Sequence, residues 1–238
     1  MTYNFRIYIS FARNMELLNK CIDSVVPQIR EFSTWKGKKI VVINDSGEDI
    51  RGQCHFPDEV EIYEMPYRIK LSPAIMGDWV VKDAFYTNQP FAMTLHTDAE
   101  LLPGAMKDIL DKAKEIEGTK WGMLFGGAGW QVFALYNPRF FVDENVWHDP
   151  YLFPFYYQDN HLYRIMTLRG WYVTQSDSKI PTIIHKSSHY LKEDPIFKRK
   201  NDIAFPAHGW IYAQIWGGLP GYETSVDPYA AGTLPKKV

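Results

Sequence analysis

From Phe5 to Ile116 the chain alternates between short apolar runs and longer stretches of helical periodicity. Phe5–Phe11 (FRIYISF) is β-rich and mostly apolar, the pattern of a buried strand. Leu17, Leu18, Cys21, Ile22, Val25 and Val26 then recur at helical spacing, and Pro27 with Gln28 is expected to close that helix. Lys39–Asn44 (KIVVIN) is a second strand, with turn chemistry at Asp45-Ser46-Gly47. Glu59–Met65 alternates as a third strand, Asp78–Tyr86 reads as a helix, Phe91–Leu95 as a fourth strand, and Met106–Ile116 as a helix. Strands that alternate with helices imply an α/β fold, a central and mostly parallel twisted sheet flanked by helices with right-handed crossovers.

Beyond Trp121 the alternation breaks down. Gln131–Tyr136 (QVFALY) is a strand candidate, an aromatic loop follows over Trp147–Tyr157, and a helix is expected from Asp159 to Leu168, ended by Gly170. Tyr172–Thr174 and Thr182–His185 are short strand candidates, and the tail from Asp194 shows no clear period. With no repeat or linker, the expectation is a single domain over 1–238. Within it, 1–104 form a nucleotide-binding half, 105–190 an acceptor and catalytic half, and 191–238 a C-terminal extension.

Charge and composition remove several partners. The net charge of −2 supplies no basic field for nucleic acid or acidic membranes, and Lys198-Arg199-Lys200 is too short to change that. Cys21 and Cys54 are too few for a disulfide framework and fit a reducing compartment. No apolar run approaches the ~20 residues of a membrane helix, and Met1–Ser10 carries Arg6 without a long apolar stretch. The expected location is cytoplasmic and unanchored. Aromatic residues reach 16% and crowd between Phe125 and Trp216, a density that suits a sugar- or base-binding cleft as well as a core.

Ligands of open α/β sheets bind at the carboxyl ends of the strands. Three such ends carry polar residues here: Arg13 and Asn14, Asp45, and His96-Thr97-Asp98. In the stretch Thr94–Gly104 (TLHTDAELLPG) a strand ends in a polar cluster, and a helix starts just after Pro103. Acidic oxygens at such an end suit a hard divalent cation that keeps coordination places for substrate phosphates. An isolated D-x-E is most often a surface turn, so this signal is weak by itself.

That stretch resembles the D-x-D region of family-2 glycosyltransferases, in which a strand reading LDxD is followed by PG and a helix. Asp98 then takes the place of the second aspartate and His96 that of the first. Three further segments fall in the family's order. Ile7–Gln28 (IYISFARNMELLNKCIDSVVPQ) resembles its opening strand and helix, Val41–Asp49 (VVINDSGED) its VVDDGSxD, and Tyr156–Gly170 (YYQDNHLYRIMTLRG) its ED.DL..R....G. The resemblance implies a GT-A fold and metal-dependent, inverting transfer of a sugar from a nucleotide donor, a UDP-sugar first among them, to a hydroxyl acceptor. It assigns Asp45 to the base, Asp98 with Mn²⁺ or Mg²⁺ to the diphosphate, His96 and His185 to the metal shell with His189 as the alternative to His185, and Asp159 to proton abstraction.

Phe11, Arg13 and Thr97 complete the implied nucleotide site, and Gln158 replaces the acidic neighbour of Asp159. Leu71–Asp78 lacks the family's diphosphate-binding arginine, so the resemblance passes that role to Arg68 or Lys70. The tail Ile215–Glu223 (IWGGLPGYE), followed by Pro228, resembles a KWGG..G.E…P ending, and Trp130, Gln158 and Trp216 are the sugar- or acceptor-binding candidates. A nucleotidyltransferase is the competing enzyme class, but residues 10–20 contain no glycine for a phosphate loop. A binding module without turnover is the other alternative. The acceptor stays open among glycan, lipid-linked sugar, protein and a hydroxylated base of modified DNA of the phage kind.

Overall fold

The computed structural model describes residues 2–53, 56–65, 73–126, 132–176, 183–185 and 195–224. Among the described residues nine strands form: β1 Ile7–Phe11, β2 Ile40–Asn44, β3 Val60–Glu64, β4 Ala92–His96, β5 Ala99–Leu101, β6 Trp121–Phe125, β7 Phe133–Tyr136, β8 Tyr172–Gln175 and β9 Ile183–His185. The same residues form six helices: α1 Met15–Phe32, α2 Pro73–Tyr86, α3 Ala105–Glu115, α4 Pro138–Asp143, α5 Gln158–Leu168 and α6 Pro195–Trp216. Seven strands make one sheet in the order β3-β2-β1-β4-β7-β6-β8, and β5 pairs with β9 in a separate ribbon. The run β3-β2-β1-β4 is parallel, as the βα alternation requires, and β7 runs antiparallel to both of its neighbours.

The centre of the sheet is covered on both faces, which is why β1 and β2 are apolar at nearly every position. The period-two alternation of side chains sorts them into two cores. Ile7, Ile9, Ile40 and Val42 pack with Leu18, Ile22, Val25 and Ile29 of α1 and with Ile109 of α3. Tyr8, Val41 and Ile43 face the other side, toward Val80 and Val81 of α2, Phe140 and Phe141 of α4, Leu162 of α5 and Trp216 of α6. Among the described residues no helix is long and apolar enough to cross a membrane.

Strands β5 and β6 were not expected from the sequence, and four helices also differ from the expectation. The first helix does not close at Pro27 but runs through it to Phe32. The apolar stripe continues past Pro27 with Ile29 and Phe32, both buried, and burial of two large side chains offsets the ~3 kcal/mol of an internal proline. The second helix starts at Pro73 rather than Asp78. The short α4 is initiated by Asn137, whose side chain accepts the Arg139 N–H, with Pro138 at its first position. The tail read as aperiodic contains the 22-residue α6, with Pro206 inside it.

Candidate functional site

The strand order reverses between β1 and β4, and that switch point is where a cleft opens. The cleft holds about 350 Å³. One wall is the end of β1, Ser10 to Arg13, and the end of β4 with its turn, Thr94 to Asp98. The opposite wall is Met76, Gly77 and Val80 of α2, with Tyr136, His148, Phe155 and Gln158 from the second half of the chain. Phe11, Arg13, His96, Thr97, Asp98 and Gln158, expected at the site, therefore share one cleft.

Helix α1 pins the turn that carries Asp98. Cys21, Ser24 and Gln28 lie on one helix face at i, i+3 and i+7. Cys21 Sγ donates to His96 O (3.6 Å), Ser24 Oγ accepts the Leu101 N–H (2.9 Å), and Gln28 accepts the Met106 N–H (3.0 Å) while donating to Leu102 O (3.2 Å). Thr97, buried, donates its hydroxyl to Ser10 O and ties the turn to β1. Burial, with Asp98 and Glu100 nearby, pushes the Cys21 thiol up, so it stays protonated as a donor.

Asp98 is largely buried and His96 half-exposed, with His96 Nδ1 4.0 Å from Asp98 Oδ1. The β5–β9 ribbon registers Ala99 opposite His185 and so brings the His185 backbone beside Asp98 from 87 residues away. Among the described residues no group of three His, Cys, Asp or Glu side chains is clustered tightly enough to hold a metal alone.

Asp45 is buried at the end of β2, and its N–H donates to Phe11 O (2.8 Å). Asn44 builds its turn by donating to Glu48 O and a Glu64 oxygen (both 2.6 Å) and accepting the Ser46 hydroxyl (2.7 Å). Asp45 is thus one hydrogen bond from the cleft wall without lining it. Asp159 lies in the first turn of α5, next to Gln158, and its Oδ1 accepts the Asn160 N–H (2.9 Å). Burial raises the Asp159 carboxyl above the ordinary aspartate range, opposed mainly by backbone N–H donors. The Oε1 atom of Gln158 is buried without a hydrogen-bond partner.

His148 and Asp78 were not visible as site residues in the sequence. His148 Nδ1 stands 2.7 Å from Asp78 Oδ1, which also accepts the His148 backbone N–H at 3.0 Å. The only sequence signal is the place of His148 in the aromatic loop. Trp216, expected against a sugar, is instead fully buried, with its Nε1–H donated to His161 Nδ1 at 3.1 Å. The reason is that α6 closes over α5, so the ring serves the core. Arg68, Lys70, Trp130, His189 and the side chain of His185 lie outside the described residues.

No family model matches the chain, and no curated protein matches it in sequence. Its likeness to known proteins is in three dimensions, and the fold is of the GT-A type. The mannosyltransferase PcManGT of Pyrobaculum calidifontis, in complex with GDP-Man and Mn²⁺, superposes with a TM-score of 0.56 at 9% identity over 90% of this chain and 65% of that one. S. aureus TarS (1–349) gives 0.54 at 13% identity over 74% of this chain and 58% of that one, and the same protein has been seen with UDP-GlcNAc. The chain spans well under two thirds of the length of the TarS structures.

Proposed function

We propose that this chain is an inverting, metal-dependent glycosyltransferase that moves a sugar from a UDP-sugar to a hydroxyl acceptor. The observation that supports this most is the meeting, in one cleft at the sheet's switch point, of Asp98 and His96 with the start of α5. Residues 1–104 hold the nucleotide: Asp45 accepts a base N–H, and Phe11, Arg13 and Thr97 shape the wall beside it. Asp98 and His96, with His185 from the facing strand, hold Mn²⁺ or Mg²⁺, whose positive charge stabilises the departing diphosphate. Arg68 or Lys70 adds a cation to the same phosphates.

In the transfer step the acceptor oxygen forms a bond to the anomeric carbon while the bond from that carbon to the diphosphate oxygen breaks. Asp159 takes the proton of the attacking hydroxyl. Its partial desolvation raises its basicity, which favours that proton transfer at neutral pH. Gln158 and Trp130 contact the sugar or the acceptor. Glycosyltransferases leak sugar to water, so the test is hydrolysis of UDP-glucose, UDP-GlcNAc and GDP-mannose with Mn²⁺. Release of sugar from at least one donor, abolished by Asp159→Asn, is expected. No release from any donor, with either metal, contradicts the proposal.

A further inference from the structure

Resting on that reading, we infer that His148, held by Asp78, is the residue that orients the transferred sugar, accepting one of its hydroxyls at Nε2. His148 is 6% exposed yet belongs to the cleft wall. Its Nδ1 is engaged by Asp78 at 2.7 Å, while Nε2 makes no hydrogen bond to any described residue. A carboxylate at Nδ1 fixes the proton there in the neutral ring and leaves a lone pair at Nε2. A lone pair on a residue of the cleft wall selects an O–H or N–H donor and not a phosphate oxygen.

The ring is positioned with little freedom. It stacks on Phe141 (5.9 Å, 28°) and meets Tyr136 edge-on. On its other side α2 passes so close that a Cβ on Gly77 would lie 2.8 Å from His148 Cε1. Glycine in a helix interior costs about 1 kcal/mol relative to alanine, and here it lets the backbone approach the imidazole. Such an expense of helix propensity is explained by a ring that must sit at one place.

Location identifies the ligand group. The transferred sugar lies between the diphosphate at Asp98 and the base at Asp159. His148 shares the cleft with Asp98 and with Gln158, the residue that precedes Asp159 at the start of α5. Gln158 Oε1, buried without a partner beside the same cleft, is a second acceptor. Two unpaired acceptors in one wall match a polyol, whose hydroxyls all donate.

The test uses two amides that imitate the two ring nitrogens. His148→Asn keeps a polar group at the Nδ1 position and loses Nε2, and His148→Gln reaches the Nε2 position. Binding of UDP, GDP, UDP-glucose, UDP-GlcNAc and GDP-mannose is measured by calorimetry with Mn²⁺, alongside thermal melting. The tightest sugar nucleotide is expected to bind H148N about tenfold more weakly, the loss of roughly one hydrogen bond. The free nucleotide is expected to bind unchanged, and H148Q to recover most of the difference. In the wild type, the ¹⁵N resonance of Nε2 is expected to move with the sugar nucleotide and not with the bare nucleotide. Equal binding of the sugar nucleotide to H148N and wild type, or a silent Nε2, overturns the inference alone. H148Q that binds normally but has lost turnover also overturns it, because it makes His148 a proton acceptor. A wild type that binds no nucleotide sugar overturns the parent reading as well.

Discussion

The carboxylate of Asp98 and the imidazole of His96 lie 4.0 Å apart where β4 leaves the sheet. Imidazole is a softer donor than carboxylate, and Mg²⁺ prefers oxygen. The account therefore predicts that Mn²⁺ supports more donor hydrolysis than Mg²⁺ in the wild type. His96→Asp should retain turnover and shift the preference toward Mg²⁺. A metal titration of hydrolysis by both proteins checks this, and an unchanged Mn²⁺/Mg²⁺ ratio speaks against His96 as a ligand.

Asp159 carries an opposed pair of consequences. Its folded carboxyl titrates above the ordinary aspartate value of about 3.9, because burial penalises the charge. The folded state thus binds the proton more readily than the unfolded chain. The group favours folding below the unfolded value, and that contribution is lost as pH rises through the folded value. Asp159→Asn should therefore melt higher than wild type at pH 7, with the gap closing in acid, while donor hydrolysis is lost. In the wild type the acid limb of kcat/KM should fall at a pH above that of an ordinary aspartate. Paired thermal melts across pH and a pH–rate profile measure the two halves.

Trp216 separates a core role from a sugar-binding one. Trp216→Phe removes the Nε1–H that reaches His161 and part of the buried ring. The expected cost is about 2 kcal/mol, a fall in Tm of roughly 4–8 °C, with nucleotide-sugar affinity unchanged. Loss of affinity without loss of Tm would return Trp216 to the sugar site.

Gly77→Ala should destabilise, although alanine is the better helix former. The added methyl meets the His148 ring at 2.8 Å, and the ring is held on its other face by Phe141. Overpacking of this kind costs about 1–3 kcal/mol. Chemical denaturation of the variant decides the sign.

Much of the frame was legible because it is local. β1, β2 and β4 are buried on both faces, so their apolar runs are uninterrupted, and Asp98 declares itself by standing just past such a run. The tail was illegible for a physical reason. Helix α6 buries Tyr212 and Trp216 but exposes Ile203, Phe205 and Trp210, so its apolar residues fall on no single face, and Pro206 interrupts the pattern. Asp78 and His148 were missed because 70 residues separate them and only the packing of α2 against the loop beyond α4 joins them. Pro27 carries the local signature of a helix end, but burial of Ile29 and Phe32 beyond it outweighs that signature.

The account depends on Asp98 holding a cation that only the diphosphate completes. Electron spin resonance of Mn²⁺ measures this directly, since the sharp lines of the free ion vanish on binding. Wild-type protein is expected to take up Mn²⁺ weakly alone and strongly once UDP is added, and Asp98→Asn to lose the UDP-dependent uptake. Uptake by D98N equal to that of wild type in the presence of UDP would contradict the account.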